Sequence, residues 1–215
     1  MIILAGMIGA GKTSYTERLA EAFGTQPFFE PVDNNPILDK YYENQERYGF
    51  SLQIYFLNKR FRLIKEAYHI DNNVLDRSIY EDALFTKINR DNGNITKEEY
   101  EIYLDLLDNM MEEIEGLPKK APDLLVYLEG SFEKILSNIE RRGRVFEQPT
   151  KENGLMDYYR QLHGEYANWY DEYTYSPKIK IDIDKYNIVD SEDDWKYVLN
   201  LIEDKLEDVR KSDRI

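Results

Sequence analysis

Gly6-Met7-Ile8-Gly9-Ala10-Gly11-Lys12-Thr13 fits the pattern G-x-x-x-x-G-K-[ST], with an apolar run, Ile2 to Ala5, before it and a helical pattern from Lys12 to Phe23 after it. Strand, glycine-rich loop and helix in that order are the setting of a phosphate-binding loop. The glycines let backbone N–H groups curl around phosphate oxygens, and the helix N-terminus adds positive potential. Lys12 can then neutralise β- and γ-phosphate charge, and the Thr13 hydroxyl can ligate Mg²⁺. Two glycines, a lysine and a Ser or Thr at these offsets arise by chance in roughly one chain of this length per hundred. The strand-to-helix setting lowers that further, so a merely structural glycine turn is the weaker reading.

Outward from this loop the chain alternates. Short apolar segments at Pro27 to Phe29, Val74 to Asp76, Leu124 to Glu129 and Lys178 to Asp182 join Ile2 to Ala5 as predicted strands. Helical patterns occupy about Phe50 to His69, Glu81 to Arg90, Lys97 to Ile114, Phe132 to Arg141, Leu155 to Tyr173 and Asp193 to Val209. This alternation predicts an α/β fold, a central five-stranded parallel sheet flanked by helices on both faces. The first, third and fourth strands are continuous apolar runs, as expected of strands covered on both sides. Thr96 with Glu99 reads as a capping box and Ser191 with Asp194 as a weaker one. Leu104, Leu107, Met111 and Ile114 recur at helical spacing and should face a core or a partner helix. No repeat or Gly/Ser-rich linker interrupts the chain, so residues 1–215 read as a single domain, with Glu115 to Asp123 an internal loop.

Composition narrows the chemistry. The 215 residues carry 28 lysines and arginines against 42 aspartates and glutamates, a formal net charge of −14, which repels nucleic-acid backbone and anionic lipid and favours small-molecule partners. There is no cysteine, hence no disulfide, thiolate nucleophile or Cys-based zinc site, and the two histidines, His69 and His163, lie far apart. No run approaches the ~20 apolar residues of a membrane span. The N-terminus lacks the basic segment of a secretory signal, which makes a cytoplasmic location the expectation. The eighteen tyrosines are dispersed and read mainly as amphipathic boundary residues.

A phosphate-binding loop serves GTPases, motors and small-molecule kinases alike. The guanine-recognising N-K-x-D pattern is missing, since Asn58-Lys59 is followed by Arg60-Phe61 within a helix, and a large motor would need more chain. Kinase chemistry needs a carboxylate near the acceptor hydroxyl and cations for the transferring phosphoryl group. Glu30 follows the second strand and Asp76-Arg77-Ser78 the third, at the carboxyl ends where an open parallel sheet binds ligands. Glu129, ending the fourth strand, is a rival carboxylate for the metal. Arg141, Arg142 and Arg144 crowd around Gly143, and three guanidinium groups on a glycine hinge can close over phosphates as a lid spanning about 141–152. Their plainer role is to answer a helix dipole.

At this point the chain resembles the deoxyribonucleoside kinases, specifically their bacterial deoxyadenosine/deoxyguanosine kinase branch. The resemblance rests on GMIGAGKT, FFEPV, YENQERYGFSLQ from Tyr42 to Gln53, QIYFLNKR from Gln53 to Arg60, DRSIYED from Asp76 to Asp82, and RRGRVFEQ from Arg141 to Gln148. It implies a P-loop kinase that uses ATP and Mg²⁺. The phosphates would lie on Gly6 to Thr13, Arg142 and Arg144, and the metal beside Thr13 and Asp76. Glu30 would lie beside the 5′-hydroxyl with Arg77 at the same end of the sugar. Tyr42 and Glu147 would hold the 3′-hydroxyl, Gln53 the base, and Asp82 with Arg60 would shape the base pocket. Either Glu30 or Asp76 would accept the hydroxyl proton, Asp76 standing where the family often has glutamate. The expected reaction is transfer of the γ-phosphate of ATP to the 5′-hydroxyl of a purine deoxynucleoside, for salvage. The partners expected are a second identical or related chain, with no nucleic acid and no membrane.

Two alternatives stand beside it. A thymidylate-type monophosphate kinase shares the fold, but Glu30 would repel an acceptor phosphate. A non-catalytic nucleotide-binding subunit would not need Glu30, Asp76, Arg77 and the lid arginines together.

Overall fold

The computed structural model describes residues 1–30, 32, 35–116 and 122–212, with the side chains of 114–116 left aside. Five strands, β1 (Ile2–Ala5), β2 (Pro27–Phe28), β3 (Val74–Asp76), β4 (Leu124–Glu129) and β5 (Lys178–Asp182), form one parallel sheet in the order β2-β3-β1-β4-β5. Around it lie α1 (Lys12–Ala22), α2 (Leu38–Glu43), α3 (Gln45–Ala67), α4 (Asp82–Asp91), α5 (Lys97–Gly116), α6 (Phe132–Arg142), α7 (Leu155–Glu172) and α8 (Glu192–Ser212). Ile2, Ile3, Leu4 and Ala5 are wholly buried, because β1 is hydrogen-bonded on both edges and covered on both faces. Ile3 pairs with Leu75 on one side and Leu125 on the other, so the carboxyl ends of β1 and β3 finish side by side. That register brings the glycine loop next to Asp76.

Every predicted strand is present, β2 one residue shorter than expected. The Thr96 capping box forms in both directions: Glu99 N donates to Thr96 Oγ1 at 3.2 Å, and Thr96 N donates to Glu99 Oε2 at 2.8 Å. At Ser191 only half forms, since the Asp194 carboxylate accepts from Asn187 N instead, at 2.9 Å.

Two expectations need correction. α3 starts at Gln45, five residues before the expected Phe50, because Asn44 caps it by accepting from Arg47 N at 3.0 Å. The six-residue α2 was not expected at all; Asn35 Oδ1 starts it by accepting from Ile37 N and Leu38 N at 2.9 and 3.1 Å. Of the eighteen tyrosines ten are half-buried or exposed, in line with a mainly boundary role, while Tyr15, Tyr41, Tyr103, Tyr127, Tyr158, Tyr159, Tyr166 and Tyr173 belong to the core. Leu104, Leu107 and Met111 lean half-buried on the core; the side chain of Ile114 and most of the expected loop after α5 lie outside the described residues.

Candidate active site

Lys12 opens α1, yet its side chain turns back into the loop, where Nζ donates to the carbonyls of Gly6 at 2.7 Å and Met7 at 3.0 Å. Burial and the charge of Arg77 pull its ammonium down to about 8, against the opposing pull of Asp76, Glu81 and Glu30. Two glycines are required by space as well as by backbone. A Cβ on Gly6 (φ +145°) would stand 2.8 Å from the Leu128 carbonyl oxygen, and one on Gly9 (φ +85°) 2.7 Å from Ile139 Cγ1 and 2.9 Å from the Ile135 oxygen. α6 also anchors the loop directly, Asn138 Nδ2 donating to the Gly9 carbonyl at 2.9 Å.

Thr13 Oγ1 donates to Asp76 Oδ2 at 2.7 Å. Burial pushes the Asp76 carboxyl up and the charge of Glu30 adds to this, while Lys12, the Thr13 hydrogen bond and Arg77 oppose it. A hydroxyl and a carboxylate beside a phosphate loop suit Mg²⁺, which takes one or two protein oxygens and completes its shell with phosphate and water. Among the described residues no cluster of three or more His, Cys, Asp or Glu could hold a metal without such help.

Opposite the loop lies a buried charge network. Glu30 is ion-paired with Arg60, and its Oε1 stands 3.1 Å from Arg77 Nε, a contact without hydrogen-bond alignment and so Coulombic. Burial alone would raise the Glu30 carboxyl, but Arg77, Arg60 and Lys12 together hold it down at about 2. Arg60 in turn bonds Asp82, which is 1% exposed and stands behind it, off the cleft wall. Asp82 Oδ2 and Arg60 Nε have no hydrogen-bond partner within the protein. Arg77 is the only described non-glycine residue with positive φ, +83°; such a conformation costs of order 1–3 kcal/mol and persists only where surroundings enforce it.

A single cleft of about 680 Å³, within the usual range of ligand sites, joins the two halves. Ile8 to Thr13, Glu30, Tyr42, Gln53, Arg60, Asp76, Arg77, Arg142, Arg144 and Glu147 all line it. Gly6 and Met7 lie behind the loop, their carbonyls committed to Lys12. At the far end Tyr42 stacks near Phe146, ring centres 5.2 Å apart, beside Glu147, which pairs with Arg142 and with Arg144 at 3.3 Å. Arg141 reaches Asn138 at 3.3 Å. Glu129 is not on the cleft; it pairs with Lys180 at 2.8 Å on another face. Two residues that sequence reasoning passed over, Glu81 and Tyr166, close the network from beneath. Glu81 was legible as the far end of a capping box, Ser78-x-x-Glu81, which forms here; Tyr166 gave no signal in its helix.

Phosphate-binding amides at one end of a cleft and a carboxylate between arginines at the other suit phosphoryl transfer, and with this sheet they define a P-loop kinase. Comparison narrows the class. The deoxynucleoside kinase family model matches residues 2–207, and the chain belongs to that family. It is 52% identical over 211 residues to a deoxyguanosine kinase of Lactobacillus johnsonii, covering 98% of this chain and 94% of that one. To a deoxyadenosine kinase of Lactobacillus acidophilus it is 48% identical over 209 residues, 97% of each chain. The structure of deoxyadenosine kinase from M. mycoides with bound dCTP superposes with a TM-score of 0.79 at 28% identity, covering 95% of this chain and all of that one.

Proposed function

We propose that this kinase transfers the γ-phosphate of ATP to the 5′-hydroxyl of a purine deoxynucleoside, deoxyguanosine or deoxyadenosine, within one kinase domain spanning 1–215. One observation carries the reading: the phosphate loop and the Glu30–Arg77–Arg60 network share a cleft, so a donor phosphate and an uncharged acceptor can meet in line between them. ATP phosphates lie on Ile8 to Thr13, with Gly6 and Met7 supporting the loop from behind. Thr13 and Asp76 hold Mg²⁺, which when bound neutralises charge on the β- and γ-phosphates. Asp76 is engaged on that side, so Glu30 is the carboxylate that receives the hydroxyl proton. Its depressed pKa makes it a weak base. In a loose phosphoryl-transfer transition state, however, position matters more than basicity. Arg77 stands at the same oxygen. Gln53 on the cleft wall supplies a donor and an acceptor for a base edge, and Arg60, held from behind by Asp82, shapes that wall. Tyr42 and Glu147 take the 3′-hydroxyl, and Arg142 and Arg144 close from the 141–152 lid once phosphates draw them from Glu147. No described helix is long and apolar enough to cross a membrane, in keeping with a cytoplasmic salvage enzyme.

Two substitutions test the site on different parameters. Glu30→Gln keeps an acceptor for Arg60 but removes the charge, so kcat should fall by roughly 10²-fold or more with little change in KM. Tyr42→Phe removes one hydrogen bond to the sugar and should lower kcat/KM by about 1–2 kcal/mol. Wild-type turnover in Glu30→Gln would contradict the assignment.

A further inference from the structure

Beneath the cleft, Glu81 is completely buried and its carboxylate collects four donors. Oε1 accepts from Gly6 N at 3.0 Å, from the Tyr166 hydroxyl at 2.8 Å and, more distantly, from Arg77 Nη1 at 3.4 Å; Oε2 accepts from Ser78 N at 3.0 Å. These donors come from both halves of the site. Gly6 begins the phosphate loop, whereas Arg77 and Ser78 belong to the acceptor side. The Tyr166 oxygen is also 3.1 Å from the Gly6 carbonyl and accepts from Arg77 Nη1 at 3.2 Å. Its single proton serves Glu81 best, since the Gly6 carbonyl already has Lys12.

Arg77 sits at φ +83° immediately before Ser78, whose amide Glu81 fixes. The chain is therefore clamped on the carboxyl side of its strained residue by the same carboxylate that touches the guanidinium. A capping box alone would need only the Ser78 amide. The Gly6 and Tyr166 contacts go beyond capping, and they link sequence positions 75 and 85 residues away.

We propose that Glu81 is a positioning residue for phosphoryl transfer, locking the phosphate loop and Arg77 to one anion, with Tyr166 as its brace. This rests on the reading of Arg77 as an acceptor-side group. Glutamine cannot reproduce the clamp, because its NH₂ would face either the Ser78 amide or the Gly6 amide, donor against donor.

The test compares kcat and KM of Glu81→Gln, Tyr166→Phe and Arg77→Ala, each corrected for folded fraction by its thermal transition. Glu81→Gln should lose at least tenfold in kcat, with KM for ATP and deoxynucleoside within about threefold. Tyr166→Phe should lose threefold or more in kcat and keep its KM values. A folded Glu81→Gln with wild-type kcat overturns the proposal. Should that variant not fold, wild-type kcat in Tyr166→Phe overturns it instead. Retained activity in Arg77→Ala would show that the underlying reading of Arg77 has failed; loss there with wild-type turnover in Glu81→Gln would sink the positioning role alone.

Discussion

Lys12 carries the nearest thing to a titration signature of this site. Its ammonium is held at about 8, so in the free enzyme the charge assigned to ATP phosphate in the proposed site is lost as pH rises through that value. kcat/KM for ATP should therefore decline above about pH 8, approaching tenfold per unit. Bound phosphate favours the ammonium, so kcat should stay level to higher pH. Glu30, at about 2, contributes no acid limb in the working range. A pH series of initial rates would show this, and a kcat/KM profile flat to pH 10 would contradict it. At this scale the sequence was most readable where a residue stands alone in a motif. Lys12, Thr13, Glu30, Asp76 and Arg77 all reach the cleft as expected, because their positions at strand ends follow from chain order. Asp82 was harder: it sits behind Arg60, bonded to it and off the cleft wall, and spacing cannot tell a wall residue from one behind it.

Among the elements, α6 deserves the comparison with α1. The phosphate loop is normally credited to the strand and helix it joins, but α6 limits it from the other side through Ile135, Ile139 and Asn138. Gly9→Ala would set a methyl against both the Ile139 side chain and the Ile135 carbonyl while forcing an L-residue to φ +85°. Stability should fall by about 1–3 kcal/mol, and KM for ATP should rise at least tenfold; a thermal melt with ATP kinetics would register both, and an unchanged KM would show that the loop has slack. α6 itself was predicted almost to the residue by its apolar periodicity. Its role against the loop was not, since nothing local in Ile135 or Ile139 points to a glycine over a hundred residues earlier. α2 escaped for a different reason: six residues make less than two turns, too few for a period to emerge.

The whole molecule exposes a partly covered helix pair, α3 with α5, where Leu104, Leu107 and Met111 are only half-buried and Ile102 is 59% exposed. Pairing this face across a two-fold axis, with an identical or related chain, would cover it. Sedimentation at micromolar concentration should give a species near twice the 25.6 kDa chain mass, and a single monomeric species would refute the homodimer. The larger question is what the joined cleft accepts. With Glu30 at the acceptor hydroxyl, as proposed, and its carboxyl held down at about 2, an acceptor that already bears phosphate should be disfavoured there relative to one that presents a hydroxyl. Deoxyguanosine, deoxyadenosine, deoxycytidine, thymidine and deoxyguanosine monophosphate, each offered with ATP and Mg²⁺ and compared by kcat/KM, test this most directly. The account predicts that a purine deoxynucleoside leads and that the monophosphate is at least a hundredfold worse; a monophosphate preferred over every deoxynucleoside would contradict it.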